Sequence, residues 1–345
     1  MLYVTTRIGE DGFTSFRALS ENRGPEGGFF VPMRLPRFDQ GQMEALVQKT
    51  FSQSVADILN LFFGTQMDGL RVELAIGRYP VENIALNSRT MVVKAWNNPV
   101  FRFERLVCGL EKAVRQSDQI NKTPSDWLMV AARMAVLFGV YGSLVQNGIL
   151  LRAQKFDIAL PSGNLSAFMA AWYARSMGLP IGTIVCCCNE NNSLWNLFHK
   201  GELRTDALAL CTCTPDCDFT VPSALERLIF ATLGRAEVLR FVECCRRGDV
   251  YALDPDALAG LRQGIHVSVV SGKRMASTIP NLYKTTGFVS DPYTALAYSG
   301  LTDYRASTAE SRQSLIISEE SPLFSLQFVA QCMDMTPAQL KILLD

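Results

Sequence analysis

Residues 157–169 read Asp157-Ile158-Ala159-Leu160-Pro161-Ser162-Gly163-Asn164-Leu165-Ser166-Ala167-Phe168-Met169: a short apolar strand, a turn of small residues and the opening of a helix. The helical pattern continues through LSAFMAAWYARSM. Leu165, Phe168, Met169 and Trp172 fall at i, i+3, i+4 and i+7, so one face can pack on a sheet. Gly178-Leu179-Pro180 stops the helix, and IGTIVCCC (181–188) reads as a second buried strand. Strand, helix and strand in this order make a βαβ unit, whose parallel strands imply a sheet covered on both faces. Ligands of such sheets bind beyond the carboxyl ends of the strands, where turn N–H groups and the positive helix end attract an anion. Gly163 permits close backbone approach, and Ser162, Asn164 and Ser166 offer hydrogen-bonding side chains. An ordinary helix cap after a strand is the competing reading of the same residues.

On either side of this unit the chain is less regular. Residues 1–82 carry short apolar segments with glycine and proline punctuation, then SQSVADILNLFFG (52–64), in which Val55, Ile58, Leu59, Leu61, Phe62 and Phe63 form an apolar helical face. This predicts a small helical domain. Longer helices follow in FERLVCGLEKAV (103–114) and SDWLMVAARMAVLFGVYGSLV (125–145), the second opened by Ser125 or Asp126 as N-cap.

The 345 residues are 48% hydrophobic, and 33 basic side chains balance 33 acidic ones. That balance gives no electrostatic case for nucleic acid or an acidic membrane surface. The expected partner is a small phosphorylated ligand or another protein, including a second copy in an oligomer. The start MLYVTTRIGEDGF places charges where a secretory signal needs an apolar run, and no segment offers the roughly 18 uncharged apolar residues of a membrane span, so a cytoplasmic location is expected. The ten cysteines then read as reduced thiols, with Cys186, Cys187 and Cys188 inside a buried strand. Cys211, Cys213 and Cys217 raise the question of a metal, since Cys213 and Cys217 have three residues between them. Neither Cys244-Cys245 nor His199 and His266 supply the matching second pair, so no metal is expected.

The turn has ordered company. LPSGNLSAFMAAWYARSMGLPI is followed by CNENNSLWNLFHKGEL; GPEGGFFVPMRLPRF lies at 24–38, SALERLIF at 223–230 and GFVSDPYTALAYSGL at 287–301. Together these resemble the threonine synthase family, which uses pyridoxal phosphate on the fold shared with tryptophan synthase β-chains and converts phosphohomoserine to threonine. The resemblance implies an α/β architecture of PLP fold type II. It consists of a parallel sheet flanked by helices over 83–345, a reduced second cofactor domain, and an N-terminal domain over 1–82. It also implies that Ser162, Gly163, Asn164, Leu165 and Ser166 match the loop that grips the cofactor phosphate. Ser318 falls where the family has a threonine beside the pyridine nitrogen.

The departures bear on chemistry. The family's Thr-Ala-His-Pro run is here Ser318-Glu319-Glu320-Ser321, which places negative charge near the ring and the phosphate unless both glutamates point to solvent. Glu104 stands at the position of the reactive lysine, and a carboxylate forms no Schiff base. A rescue would need Lys94, Lys112 or Lys122 to reach the cofactor from another backbone position. No Ser-Gly-Asp-Thr-Gly segment follows the lysine helix, so much of the smaller cofactor subdomain is missing between about 105 and 125. The Asn and Arg expected to help seat the substrate align with Asp126 and Met129.

Three functions remain in play. One is a catalytically degraded threonine-synthase-like protein that keeps a phosphate-binding or cofactor-binding turn. Another is an active pyridoxal phosphate-dependent lyase with a relocated lysine. A third is an interaction module whose uncovered sheet edge and helix faces are closed by another chain. Trp172-Tyr173 reads as helix core, Asp291-Pro292-Tyr293 as a family segment that usually carries histidine in place of the tyrosine, and Arg246-Arg247 as a solvated pair.

Overall fold

The computed structural model describes residues 1–9, 12–77, 82–96, 103–117, 123–163, 165–222 and 225–344. The apolar start of the chain forms β1 (Leu2–Thr5), which pairs antiparallel with β2 (Phe13–Thr14) and later with β3 (Phe30–Pro32). Helix α1 (Ser15–Ser20) lies between them. This three-stranded sheet was not part of the expected small helical domain. Its strands are two to four residues long, too short to show an alternating pattern. They are brought together by a glycine turn in which the Gly24 N–H donates to Gly28 O at 2.8 Å and Gly27 takes a positive φ of 81°. Helices α2 (Gln40–Val47), α3 (Phe51–Phe63) and α4 (Gly69–Ile76) follow. Asp39 with Gln42 and Thr50 with Gln53 close capping boxes on the first two of these helices.

The hairpin β4 (Glu82–Asn87) and β5 (Thr90–Lys94) leads to α5 (Phe103–Arg115) and α6 (Asp126–Gln146). The Ser125 hydroxyl accepts from the Leu128 N–H and is the α6 N-cap. The expected βαβ unit follows as β6 (Phe156–Pro161), α7 (Leu165–Met177) and β7 (Ile181–Cys188). Next come α8 (Ser193–Lys200), β8 (Glu202–Arg204), α9 (Leu225–Leu233), α10 (Arg235–Arg247), β9 (Val250–Ala252), which pairs with β8, and α11 (Pro255–Arg262). The chain ends with β10 (Ile265–Val269), α12 (Gly272–Thr286), α13 (Pro292–Thr308), β11 (Ser314–Ser318), α14 (Leu326–Cys332) and α15 (Pro337–Leu344).

The six-stranded sheet has the order β10-β7-β6-β11-β5-β4, parallel throughout except for β4 against β5. Both faces are covered, which explains the unbroken apolar strands. Ile158, Leu160, Ile184 and Cys186 join a core with α3, α6 and α7, while Ala159, Val185, Cys187 and Ile316 pack under α12 and α13. Helix α6 is long and apolar enough to cross a membrane by length and composition alone, but it is packed between α3 and α7 with most of its side chains buried. Each fully buried side chain such as Trp127 or Phe138 contributes on the order of 2–3 kcal/mol by removal from water. The Trp127 indole N–H donates to Tyr3 Oη at 2.9 Å, and Tyr3 Oη donates to Phe62 O at 2.8 Å. The described residues ahead of β4 therefore share one core with the α/β body through α6.

Candidate functional site

The carboxyl ends of β6 and β11 open into a cleft with two lobes that share Met129, Gly163, Ser166 and Asp216. The narrower lobe, about 290 Å³, is lined by Phe103, Arg133, Asp291, Tyr293, Glu319 and Glu320. The wider lobe, about 570 Å³, is walled by Phe29, Asp126, Phe219 and Arg227. The cleft thus lies where a sheet of this kind binds ligands.

The turn divides between two tasks. Ser162 is fully buried beside the Cys217 thiol, and the Gly163 N–H donates to Cys217 Sγ at 3.2 Å. A Cβ on Gly163 would lie 2.6 Å from the backbone C and O of Asp216, so the single helical turn Pro215–Cys217 rests directly on this glycine. Burial pushes the Cys217 thiol up to about 12. Of the expected phosphate-loop residues, Gly163 and Ser166 line both lobes and Leu165 lines the wider one. Ser162 faces the thiol, and Asn164 lies outside the described residues. The glycine is there for close approach, as expected, but what approaches it is the chain's own backbone.

Ser318 is buried at the end of β11 and does not line either lobe. Its hydroxyl accepts from the Trp96 indole at 3.2 Å and donates to Asp291 Oδ2 at 3.1 Å. Asp291 is the N-cap of α13 and also accepts from the Tyr293 and Thr294 N–H groups and the Thr294 hydroxyl. Burial raises its pKa, and these hydrogen bonds to the carboxylate oppose the rise.

The two glutamates after Ser318 do not simply point to solvent. Glu319 is seated on Arg133 through two hydrogen bonds, Nε to Oε1 at 2.9 Å and Nη2 to Oε2 at 2.7 Å. Arg133 is also stacked 4.4 Å over the Phe103 ring. The charge expected to oppose a phosphate is thus cancelled in part by an arginine from α6. Arg133 was not singled out from the sequence, although a single charge within the apolar run 127–145 was a signal for it.

Glu104 belongs to the first turn of α5, and its side chain lies outside the described residues. No lysine lines either lobe among the described residues. Lys94 pairs with Glu82 at 2.5 Å and lies 4.3 Å over the Trp96 ring; Lys112 is on the exposed side of α5, and Lys122 is outside the described residues. Asp126 and Met129 both line the cleft, and Asp126 is paired with Arg23 at 3.5 Å. No group of three potential metal ligands occurs among the described residues.

These residues do not fit pyridoxal phosphate held in the manner the resemblance implies. The Gly163 N–H is taken by a thiol, the backbone of Asp216 lies against Gly163, the Ser318 hydroxyl is taken by Asp291, and no described amine reaches the cleft.

Comparisons with known proteins agree with the architecture. Residues 2–77 match the family model described as threonine synthase N terminus. Threonine synthase of Methylobacillus glycogenes is 35% identical over 128 residues, which is 36% of this chain and 26% of that protein. Human threonine synthase-like 1 is 26% identical over 179 residues, 50% of this chain. The match spans only 24% of the human protein's length. Among solved structures, PLP-bound threonine synthase from Brucella melitensis superposes with a TM-score of 0.83 at 17% identity, over 99% of this chain and 94% of that one. Threonine synthase from yeast gives 0.82 at 18% identity, over 99% and 93%. At these identities the superpositions establish the fold, PLP fold type II.

Proposed function

We propose that the chain is a threonine synthase family member that binds a small anionic ligand and does not catalyse the family's reaction. The observation that carries this reading is the cleft without an amine: no lysine lines either lobe among the described residues, and a glutamate occupies the lysine position on α5. A Schiff base needs an uncharged amine within bonding distance of an aldehyde, and no acid or arginine in the cleft substitutes for it. Two further features support loss of turnover. The hydroxyl and N–H groups that would receive the cofactor are engaged within the protein, and the substrate-seating positions are Asp126 and Met129.

What the residues do instead is hold a cleft open and charged. Arg133 and Glu319 brace the narrower lobe, and Arg227 backs the wider one. Ten free cysteines support a reducing compartment, and we place the protein in the cytoplasm. The test is turnover. Purified protein supplied with pyridoxal phosphate and phosphohomoserine is expected to release no threonine and no phosphate, and the gene is expected not to rescue a threonine auxotroph. Turnover that scales with protein concentration, or rescue, would overturn the proposal.

A further inference from the structure

We infer that Arg227 anchors an oxyanion subsite in the wider lobe, taking a phosphate or carboxylate group of the bound ligand. The inference rests on the reading of the cleft as a binding site and names the group that the site recognises.

Two neighbours on α9 carry opposite charges. Glu226 and Arg227 are both buried, and their charges meet different fates. The Glu226 carboxylate is taken by the Arg7 guanidinium at 3.0 and 2.9 Å and by the Thr6 hydroxyl. Arg227 pairs with no carboxylate among the described residues. The residue is 1% exposed, and its guanidinium lies 4.3 Å over the Phe29 ring and reaches Phe30 O from Nε at a long 3.4 Å. Nη2 is buried and has no hydrogen-bond partner among the described residues.

A desolvated guanidinium is costly to bury unless a carboxylate is bonded to it, and here Asp126 and Glu226 act on Arg227 only through space while both are bonded to other arginines. Burial pushes Arg227 down to about 10, which still leaves it a cation at neutral pH.

The surroundings point the charge at a ligand. Arg227 walls the lobe of about 570 Å³ that runs to Gly163 and Ser166. A second guanidinium, Arg23, lies 3.4 Å over the same Phe29 ring, and its pairing with Asp126 at 3.5 Å neutralises the one carboxylate on that wall. The remaining acid, Asp216, is exposed at the rim. The Tyr173 hydroxyl is also buried without a partner among the described residues and lies within electrostatic range of Arg227. A compact oxyanion satisfies a forked donor of this kind better than water does, because the charge-assisted bonds form away from bulk solvent.

The experiment is calorimetric titration of the full chain with inorganic phosphate and, separately, with succinate, for wild type, Arg227→Gln and Arg227→Lys. Wild type is expected to bind at least one probe saturably. Saturation by phosphate assigns the source as a phosphate monoester, and saturation by succinate alone assigns it as a carboxylate. Arg227→Gln is expected to raise Kd about tenfold or more, and Arg227→Lys, which keeps the charge and loses the fork, by a smaller factor. If Arg227→Gln fails to fold, Arg227→Lys decides alone, with a severalfold rise expected. Absence of saturable binding by either probe, or variants that bind as wild type does, overturns the inference. Threonine release in the turnover assay would overturn the non-catalytic reading and leave this subsite standing, so the two failures are distinguishable.

Discussion

Removing Glu319 should expose how much the narrower lobe depends on its buried ion pair. Arg133 is 6% exposed and Glu319 16%, and they share two charge-assisted hydrogen bonds of 2.9 and 2.7 Å. Glu319→Ala leaves the guanidinium buried against Phe103 with Nη1 already lacking a partner among the described residues. Breaking a buried pair from one side costs about 3–5 kcal/mol, and the partial exposure of Glu319 places the expected loss near the bottom of that range, about 3 kcal/mol. Glu319→Gln keeps one acceptor and should lose roughly half as much. The decisive variant is Arg133→Met with Glu319→Ala, in which no charge is buried. It should recover most of the loss, because replacing a buried pair by apolar groups is close to neutral. Urea unfolding at equilibrium reads all four proteins, with unchanged m values required before the midpoints are compared. A Glu319→Ala loss below about 1 kcal/mol, or a double variant no more stable than Glu319→Ala, would refute the claim that this pair is a buried structural brace.

Two further outcomes follow from the same site. Gly163→Ala should destabilise by about 2–3 kcal/mol and lower Tm, since its Cβ would meet three backbone atoms of Asp216 and Cys217 at 2.6–2.9 Å and none of them can rotate away. Asp291 has a folded-state pKa raised above 3.8 by burial, so its contribution to stability is full below that value and is lost as pH rises through the folded-state pKa. Asp291→Asn keeps an acceptor for the Tyr293 and Thr294 N–H groups but removes the titration. The stability of wild type relative to this variant should therefore fall as pH rises through the raised folded-state pKa, as measured by urea unfolding across pH.

The parts of the fold that were legible are those with a strong period or a hard punctuation. The run 157–188 carried strand, turn, helix, stop and strand in plain order, and the structure places β6, α7 and β7 there. A cap at Ser125 or Asp126 was legible because both precede a long apolar run, and the structure assigns it to Ser125. The N-terminal sheet was not, since β1, β2 and β3 are too short for alternation and pair across a glycine turn.

In the site, the sequence located the turn and not its partner. Cys217 is 54 residues from Gly163, and no local pattern links a thiol to a glycine N–H that far away. Arg133 and Glu319 are separated by 186 residues, so their pairing belongs to tertiary structure, although each was locally out of place. Ser318 was placed by resemblance, and its two hydrogen bonds reach 222 residues back to Trp96 and 27 back to Asp291. Asp291 and Tyr293 appeared in the sequence only as a family segment, while the structure makes one a helix cap and both part of the cleft wall.

The central claim is that no amine among the described residues stands in the cleft to form a Schiff base, and its most direct test is chemical. The protein is incubated with pyridoxal phosphate, reduced with borohydride, digested and mapped for modified lysines. The account predicts no stoichiometric adduct at any single lysine, with at most trace labelling spread over exposed ones. One lysine modified in proportion to protein, and protected when phosphohomoserine is present, would contradict it.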